Sequence, residues 1–154
     1  MSDPLVETWE INNRINLYLL EALKPGNLEV ELKPKGRTVG TLFSHMHNVR
    51  LMWLKVAGPA LLAQVRKIEV EEELSTNLLT ESLNASGNAI TELITTSLAN
   101  EGRVKGFKPH VTAFVGYLIS HESHHRGQVA MALRIAGATL DKKVSFGMWE
   151  WGSR

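Results

Sequence analysis

The stretch HVTAFVGYLISHESHHRGQVAMALRIAG, residues 110–137, has the strongest helical pattern in the chain. It is long enough for a helix of about seven turns, and Gly137 is a typical residue just beyond a helix end. Its apolar residues and two of its histidines recur at helical spacing on one face: Phe114, Leu118, His121, His125, Val129 and Ala132. The sequence therefore predicts a helix over 110–136 that carries two histidines, one turn apart, on its inner face.

Three other segments have the same helical periodicity, and turn-forming residues separate them. We predict helices over 5–23, 38–56 and 75–98. Pro25-Gly26 ends the first of these helices and Gly58-Pro59 ends the second. Together with the helix over 110–136, they predict an all-α protein, a four-helix bundle with one or two long crossover connections.

The connections are less regular than the helices. Residues 27–37 are predicted to form a crossover loop, in which Leu28–Leu32 alternates like a short strand or an extended segment. Residues 60–74 are predicted to hold a short helix and an acidic surface cluster, and 100–109 a plain connection. No repeat or low-complexity tract divides the chain, so we expect a single domain over 1–154.

Composition excludes several classes of protein. The chain has 17 basic and 16 acidic residues, and this net charge of +1 argues against nucleic-acid and membrane-surface partners. It has no cysteine, so a protein thiolate, a disulfide and a cysteine-held metal are all excluded. The N-terminus lacks the pattern of a signal peptide, and the default expectation is a cytoplasmic protein.

The six histidines are the candidate ligands for a metal. His121 and His125 are four residues apart on one helix face, where both rings can reach one ion. A buried ring without a partner costs about 1–3 kcal/mol, and ligation of a divalent metal such as zinc or nickel would remove that cost. The second helix offers either His45 or His47 as a third ligand, since both lie on apolar stripes. His110 is expected at the surface or as a helix cap, and His124 beside the site or exposed.

Residues 121–125 also match the metalloprotease motif H-E-x-x-H, in which Glu122 would be the general base. The extended form of the motif is absent, because Gln128 and Met131 stand where it requires Gly and His. A zinc metalloprotease is therefore the less favoured alternative.

Two segments resemble a known family: TVGTLFSHMHNVRLMWL at residues 38–54 and HESHHRGQ at residues 121–128. They are similar to the DinB-like (DinB/YfiT) proteins, a family of metal-binding four-helix bundles related to bacillithiol- and mycothiol-dependent S-transferases. The resemblance implies a metal held by His45, His121 and His125, while the residues themselves leave His47 as the rival of His45.

The resemblance also implies a function. We expect a metal-dependent enzyme of thiol S-transferase or hydrolase type, with an unassigned small-molecule substrate and a low-molecular-weight thiol as co-substrate. Helical geometry places Glu122 and Arg126 near the site, Glu122 as an orienting group or base and Arg126 as a contact for an anion. The alternative is a non-enzymatic, metal-stabilised stress protein. The aromatic C-terminal residues point to a homodimer.

Overall fold

The computed structural model of the chain describes residues 1–154 and is dominated by helices. The helices are α1 (Pro4–Glu21), α2 (Val39–Ala57), α3 (Thr76–Ala99), α4 (Val111–Ile135) and the short α5 (Lys142–Gly147). The four long helices pack as a bundle, which confirms the predicted all-α fold. None of the helices combines the length and the apolar character needed to cross a membrane.

Local sequence determines where the long helices begin. Asp3 accepts a hydrogen bond from the backbone N–H of Leu5 and caps α1. Thr38 and Thr41 cap each other's backbone groups at the start of α2, which fixes the first turn of the helix that carries His45. The side chain of Ser75 caps α3 in the same manner.

The connections make two of the expectations more specific. Residues 27–37 do not form a strand: Asn27–Glu29 is a single 3-10 turn, and only the Glu31–Thr38 pair forms a β-bridge. The expected short helix after α2 is a 3-10 helix over Pro59–Gln64. The chain beyond it buries the side chain of Ile68 in the core.

A β-hairpin lies where the sequence predicted a plain connection. Strand β1 (Arg103–Val104) pairs antiparallel with β2 (Phe107–His110), and Val104 faces Phe107 across a two-residue turn. Gly106 adopts a φ of 83°, which favours glycine and makes the tight turn accessible. The strands are too short to show an alternating apolar pattern in the sequence.

The core consists of two apolar clusters separated by a polar layer. One cluster surrounds Trp9 and Phe114, and the other surrounds Phe43 and Leu133. Buried polar side chains from all four long helices lie between them in the chain: Asn12, Asn16, His47, Arg50, Ser86, Glu122, His125 and Arg126. Because a buried polar group must find partners, this layer fixes the relative positions of the four helices.

Candidate metal centre

Three histidines from two helices converge at the edge of the polar layer. His45 projects from α2, and His121 and His125 project from successive turns of α4. The Nε2 atom of His121 lies 3.3 Å from Nε2 of His45 and 3.1 Å from Nε2 of His125. One nitrogen from each ring lies within 4.8 Å of the other two, so the group could hold a metal ion.

The surroundings keep these rings neutral. Burial, followed by the charge of Arg37 and the two neighbouring imidazoles, lowers the pKa of His45 to about 4. Burial also lowers the pKa of His121 and of His125. All three rings therefore have a free lone pair at pH 7, which is the form that binds metal.

Gln128 fixes the tautomer of His125. The Nδ1 atom of His125 lies 2.7 Å from Oε1 of Gln128, and because an amide oxygen only accepts, Nδ1 carries the hydrogen. The lone pair of the neutral ring is therefore on Nε2, which faces His121. Such a hydrogen bond on the outer nitrogen is typical of metal-binding histidines. The Nδ1 atom of His121, by contrast, is buried without a partner.

His47 lies in the core, where both of its ring nitrogens have other partners. Nε2 lies 2.7 Å from the carbonyl oxygen of Arg66, to which it must donate, and Nδ1 lies 3.0 Å from Oγ of Ser86. The ring ties α2 to the segment after it and to α3, and it has no nitrogen left for a metal. The geometry thus favours His45 over its rival.

The other two histidines lie outside the group of three. His110 caps α4, where its Nδ1 accepts a hydrogen bond from the backbone N–H of Ala113. His124 is exposed, and its ring packs at 5.0 Å from that of His125.

Glu122 does not occupy the position of a general base at the histidines. Its side chain is 1% exposed. It accepts hydrogen bonds from Nε and Nη2 of Arg50 at 2.6 and 3.0 Å, and from the amides of Asn12 and Asn16, both at 2.7 Å. Three of these bonds reach Oε2 and one reaches Oε1, so both carboxylate oxygens are held within the polar layer. Burial alone would raise the pKa of Glu122, but the ion pair with Arg50 holds it below its ordinary value.

Arg50, the partner of Glu122, was not among the predicted site residues. Arg50 is fully buried in α2 and also donates to the carbonyl of Leu83 and to Oγ of Ser86. A signal was present: Arg50 continues the apolar stripe of α2 that contains Phe43, His47 and Leu54. A charge on a buried face requires an opposite charge nearby, and Glu122 stands at the same level of the bundle.

Arg126 is also directed away from the three histidines. Its Nη1 donates to the side-chain oxygens of Asn12 and Asn16, at 2.9 and 2.6 Å. The predicted contact of Arg126 with an anion would therefore take place at a different surface of α4 from the one that carries His121 and His125.

A cavity of about 650 Å³ opens beside His45. The crossover segment contributes Lys33, Lys35 and Arg37 to its wall, and no carboxylate lies within 4.0 Å of these three cationic groups. Two acidic residues also line the cavity, and both are paired: Glu72 with Arg66, and Glu69 with Lys67. The approach to His45 is therefore electropositive.

Comparisons with known proteins agree with the fold. A crystal structure of a DinB-like protein from Bacillus cereus ATCC 10987 shares the fold, with a TM-score of 0.65 and 19% identity over 89% of this chain and 93% of that chain. The uncharacterized protein YrdA of Bacillus subtilis (strain 168) is 23% identical over 97% of this chain and 91% of its own length. The model of the DinB family matches residues 1–142. This chain, with its four-helix bundle and its group of three histidines, therefore belongs to the DinB family.

Proposed function

We propose that the chain binds a divalent metal ion through His45, His121 and His125 and acts as a metal-dependent enzyme. The observation that carries the proposal is the spacing of the ring nitrogens. Zinc–nitrogen bonds of about 2.0–2.1 Å at tetrahedral angles separate two ligand nitrogens by about 3.3 Å. The Nε2–Nε2 distances of 3.3 and 3.1 Å fit that separation, and nickel accepts the same ligands.

Three histidines leave at least one coordination position for a substrate, as in catalytic zinc sites. When bound, the metal would polarise a substrate oxygen or lower the pKa of a water or thiol. The chain has no cysteine, so a reacting thiol would come from a small molecule. Thiol transfer and hydrolysis are accordingly the two reaction types that we propose.

The cavity beside His45 indicates how a substrate would bind. Arg37, with Lys33 and Lys35, would attract an anionic group of the substrate toward the three histidines. Of these three groups, Arg37 acts on the site directly, because its charge lowers the pKa of each of the three histidines. We therefore propose a small substrate or thiol that carries a carboxylate or phosphate.

The first experiment measures metal content by mass spectrometry after purification without chelator. We expect about one zinc or nickel ion per chain, and loss of that ion in His45→Ala and in His121→Ala. His124→Ala is the matched control, since it removes an exposed imidazole beside the site and should leave the metal content unchanged. Metal retained by both ligand variants would disprove the site.

The second experiment separates an enzyme from a metal-stabilised protein without activity. The metal-loaded protein, the chelated protein and His121→Ala are assayed for conjugation of small thiols to 1-chloro-2,4-dinitrobenzene and for hydrolysis of nitrophenyl esters. Turnover by the loaded protein alone supports an enzyme. The absence of turnover, together with a higher melting temperature on metal addition, would support the non-enzymatic alternative.

A further inference from the structure

The charges of the buried ionic groups in the polar layer do not sum to zero. Arg50 and Arg126 contribute two guanidinium groups, and Glu122 contributes the one buried carboxylate. Glu122 accepts hydrogen bonds from Arg50 and from the amides of two asparagines, and none from Arg126. Arg126, only 8% exposed, donates to neutral amide oxygens and to no carboxylate. The layer thus contains one positive charge without a counterion, which is costly inside a protein.

Part of the Arg126 guanidinium has no partner in the protein. Nη1 makes both of its hydrogen bonds, whereas Nε and Nη2 make none. Neither of these two nitrogens is fully buried, so both are open to solvent. Arg126 lines a cavity of about 450 Å³, toward which its unpaired nitrogens can point.

The rest of the cavity wall is mostly apolar. On the α4 side, Arg126 is joined by Ile119, Ser123, Gly127 and Ala130, and the C-terminal segment lines the cavity with Ser145, Met148, Trp149 and Trp151. A volume of this size is within the range of about 300–1,000 Å³ typical of small-molecule sites. On the helical wheel the α4 residues of the cavity lie opposite His121 and His125, so the cavity is separate from the candidate metal centre.

We propose that this cavity is a second ligand site, in which Arg126 binds the carboxylate of a small molecule with an aromatic or apolar body. A guanidinium whose second edge is free presents the fork that matches a carboxylate. The layer has one positive charge in excess, which a monoanion neutralises and a dianionic phosphate would exceed. Trp149, Trp151 and Met148 provide the apolar contact for the body of the ligand.

Phenylacetate is a suitable probe, and phenylacetamide is its uncharged isostere. Binding is followed by tryptophan fluorescence and by the shift in melting temperature of the full chain. We expect phenylacetate to bind at least 10-fold more tightly than phenylacetamide and than inorganic phosphate. Equal affinity for phenylacetate and phenylacetamide would overturn the role of Arg126, and tighter binding of phosphate would overturn the apolar body.

Two variants test the location of the site. Arg126→Gln should weaken phenylacetate binding at least 10-fold, and Arg103→Gln, with a side chain 81% exposed on β1, should not. Arg126→Gln also removes a buried charge. A second variant, Gly127→Phe, therefore keeps Arg126 and fills the cavity instead. A Cβ at Gly127 meets no atom within 4 Å, and Gly116→Phe is the matched control in the same helix, outside the cavity wall.

Gly127→Phe should abolish the fluorescence response to phenylacetate, and Gly116→Phe should retain it. An unchanged response in both would overturn the site. The cavity could instead be covered by a second copy of the chain, because Trp149 is 76% exposed. Sedimentation velocity distinguishes the two cases: a dimer that forms with rising concentration and no longer responds to phenylacetate would overturn the proposal.

Discussion

Replacing Glu122 by glutamine should destabilise the protein strongly without removing a metal. The side chain keeps its size and loses its charge, while Arg50, 0% exposed, remains in the core without an opposite charge. One carboxylate oxygen becomes an NH2 group. That group then faces N–H donors, because all four groups bonded to Glu122 are donors.

The magnitude follows from the burial of the pair. Removing one partner of a buried ion pair costs about 3–5 kcal/mol. For a chain of this size each kcal/mol lowers the melting temperature by about 2–4 °C, so we expect a fall of about 6–20 °C. Glu150→Gln is the matched control: its side chain is 59% exposed and pairs only with Arg154 at 3.6 Å. That pair should contribute less than about 1 kcal/mol.

Urea unfolding followed by circular dichroism gives both free energies, and metal analysis of the same preparations gives the metal content. We expect Glu122→Gln to bind as much metal as the wild type, since Glu122 makes no hydrogen bond to the three histidines. A cost below about 1 kcal/mol would refute our account of the polar layer. Normal stability combined with loss of metal-dependent peptide hydrolysis would instead support the general-base role of H-E-x-x-H.

Three further predictions concern the histidines and the C-terminal packing. Zinc at 1,000 times its dissociation constant should stabilise the wild type by about 4.1 kcal/mol in urea unfolding, and His121→Ala should lose this effect. The metal-free protein should become less stable as pH falls from 6.5 toward 4, because His45 takes up its proton in the unfolded state near 6.5 and in the folded state only near 4. His45→Gln should flatten that pH dependence, and parallel curves for the two proteins would contradict the lowered pKa. Gly147→Ala should lower the melting temperature, because a Cβ there would overlap the hydroxyl of Tyr18 and lie 2.7 Å from its Cζ, whereas Gly152→Ala, with open space, should not.

Helical periodicity was sufficient to predict the bundle. The predicted helix over 110–136 differs from α4, Val111–Ile135, by one residue at each end, and the predicted 38–56 differs from α2, Val39–Ala57, equally little. Such long segments carry many apolar residues in phase, and the sum of these contacts outweighs local irregularities. The hairpin over Arg103–His110 has too few residues for any such sum, and the two-residue turn at Gly106 was its only signal.

Periodicity could not decide between His45 and His47. Both lie on apolar stripes of α2, and the choice depends on residues far away in the chain. Ser86 on α3 and the carbonyl of Arg66 after α2 occupy the nitrogens of His47. Periodicity also could not predict the pairing of Arg50 with Glu122, because a partner on another helix depends on how the helices are aligned along the bundle. A sequence shows which polar residues interrupt an apolar face, and only the packed structure shows which of them meet.

Fewer than two turns of α4 set three environments at once. His121 and His125 face the candidate metal centre, Glu122 lies in the buried layer, and Ser123 with Arg126 faces the C-terminal cavity. Each residue of an α-helix is rotated by about 100° from its neighbour, so deleting one residue just before His121 would turn all these side chains together. An insertion or deletion near residues 121–126 would therefore disturb all three environments together, whereas a substitution there changes one of them.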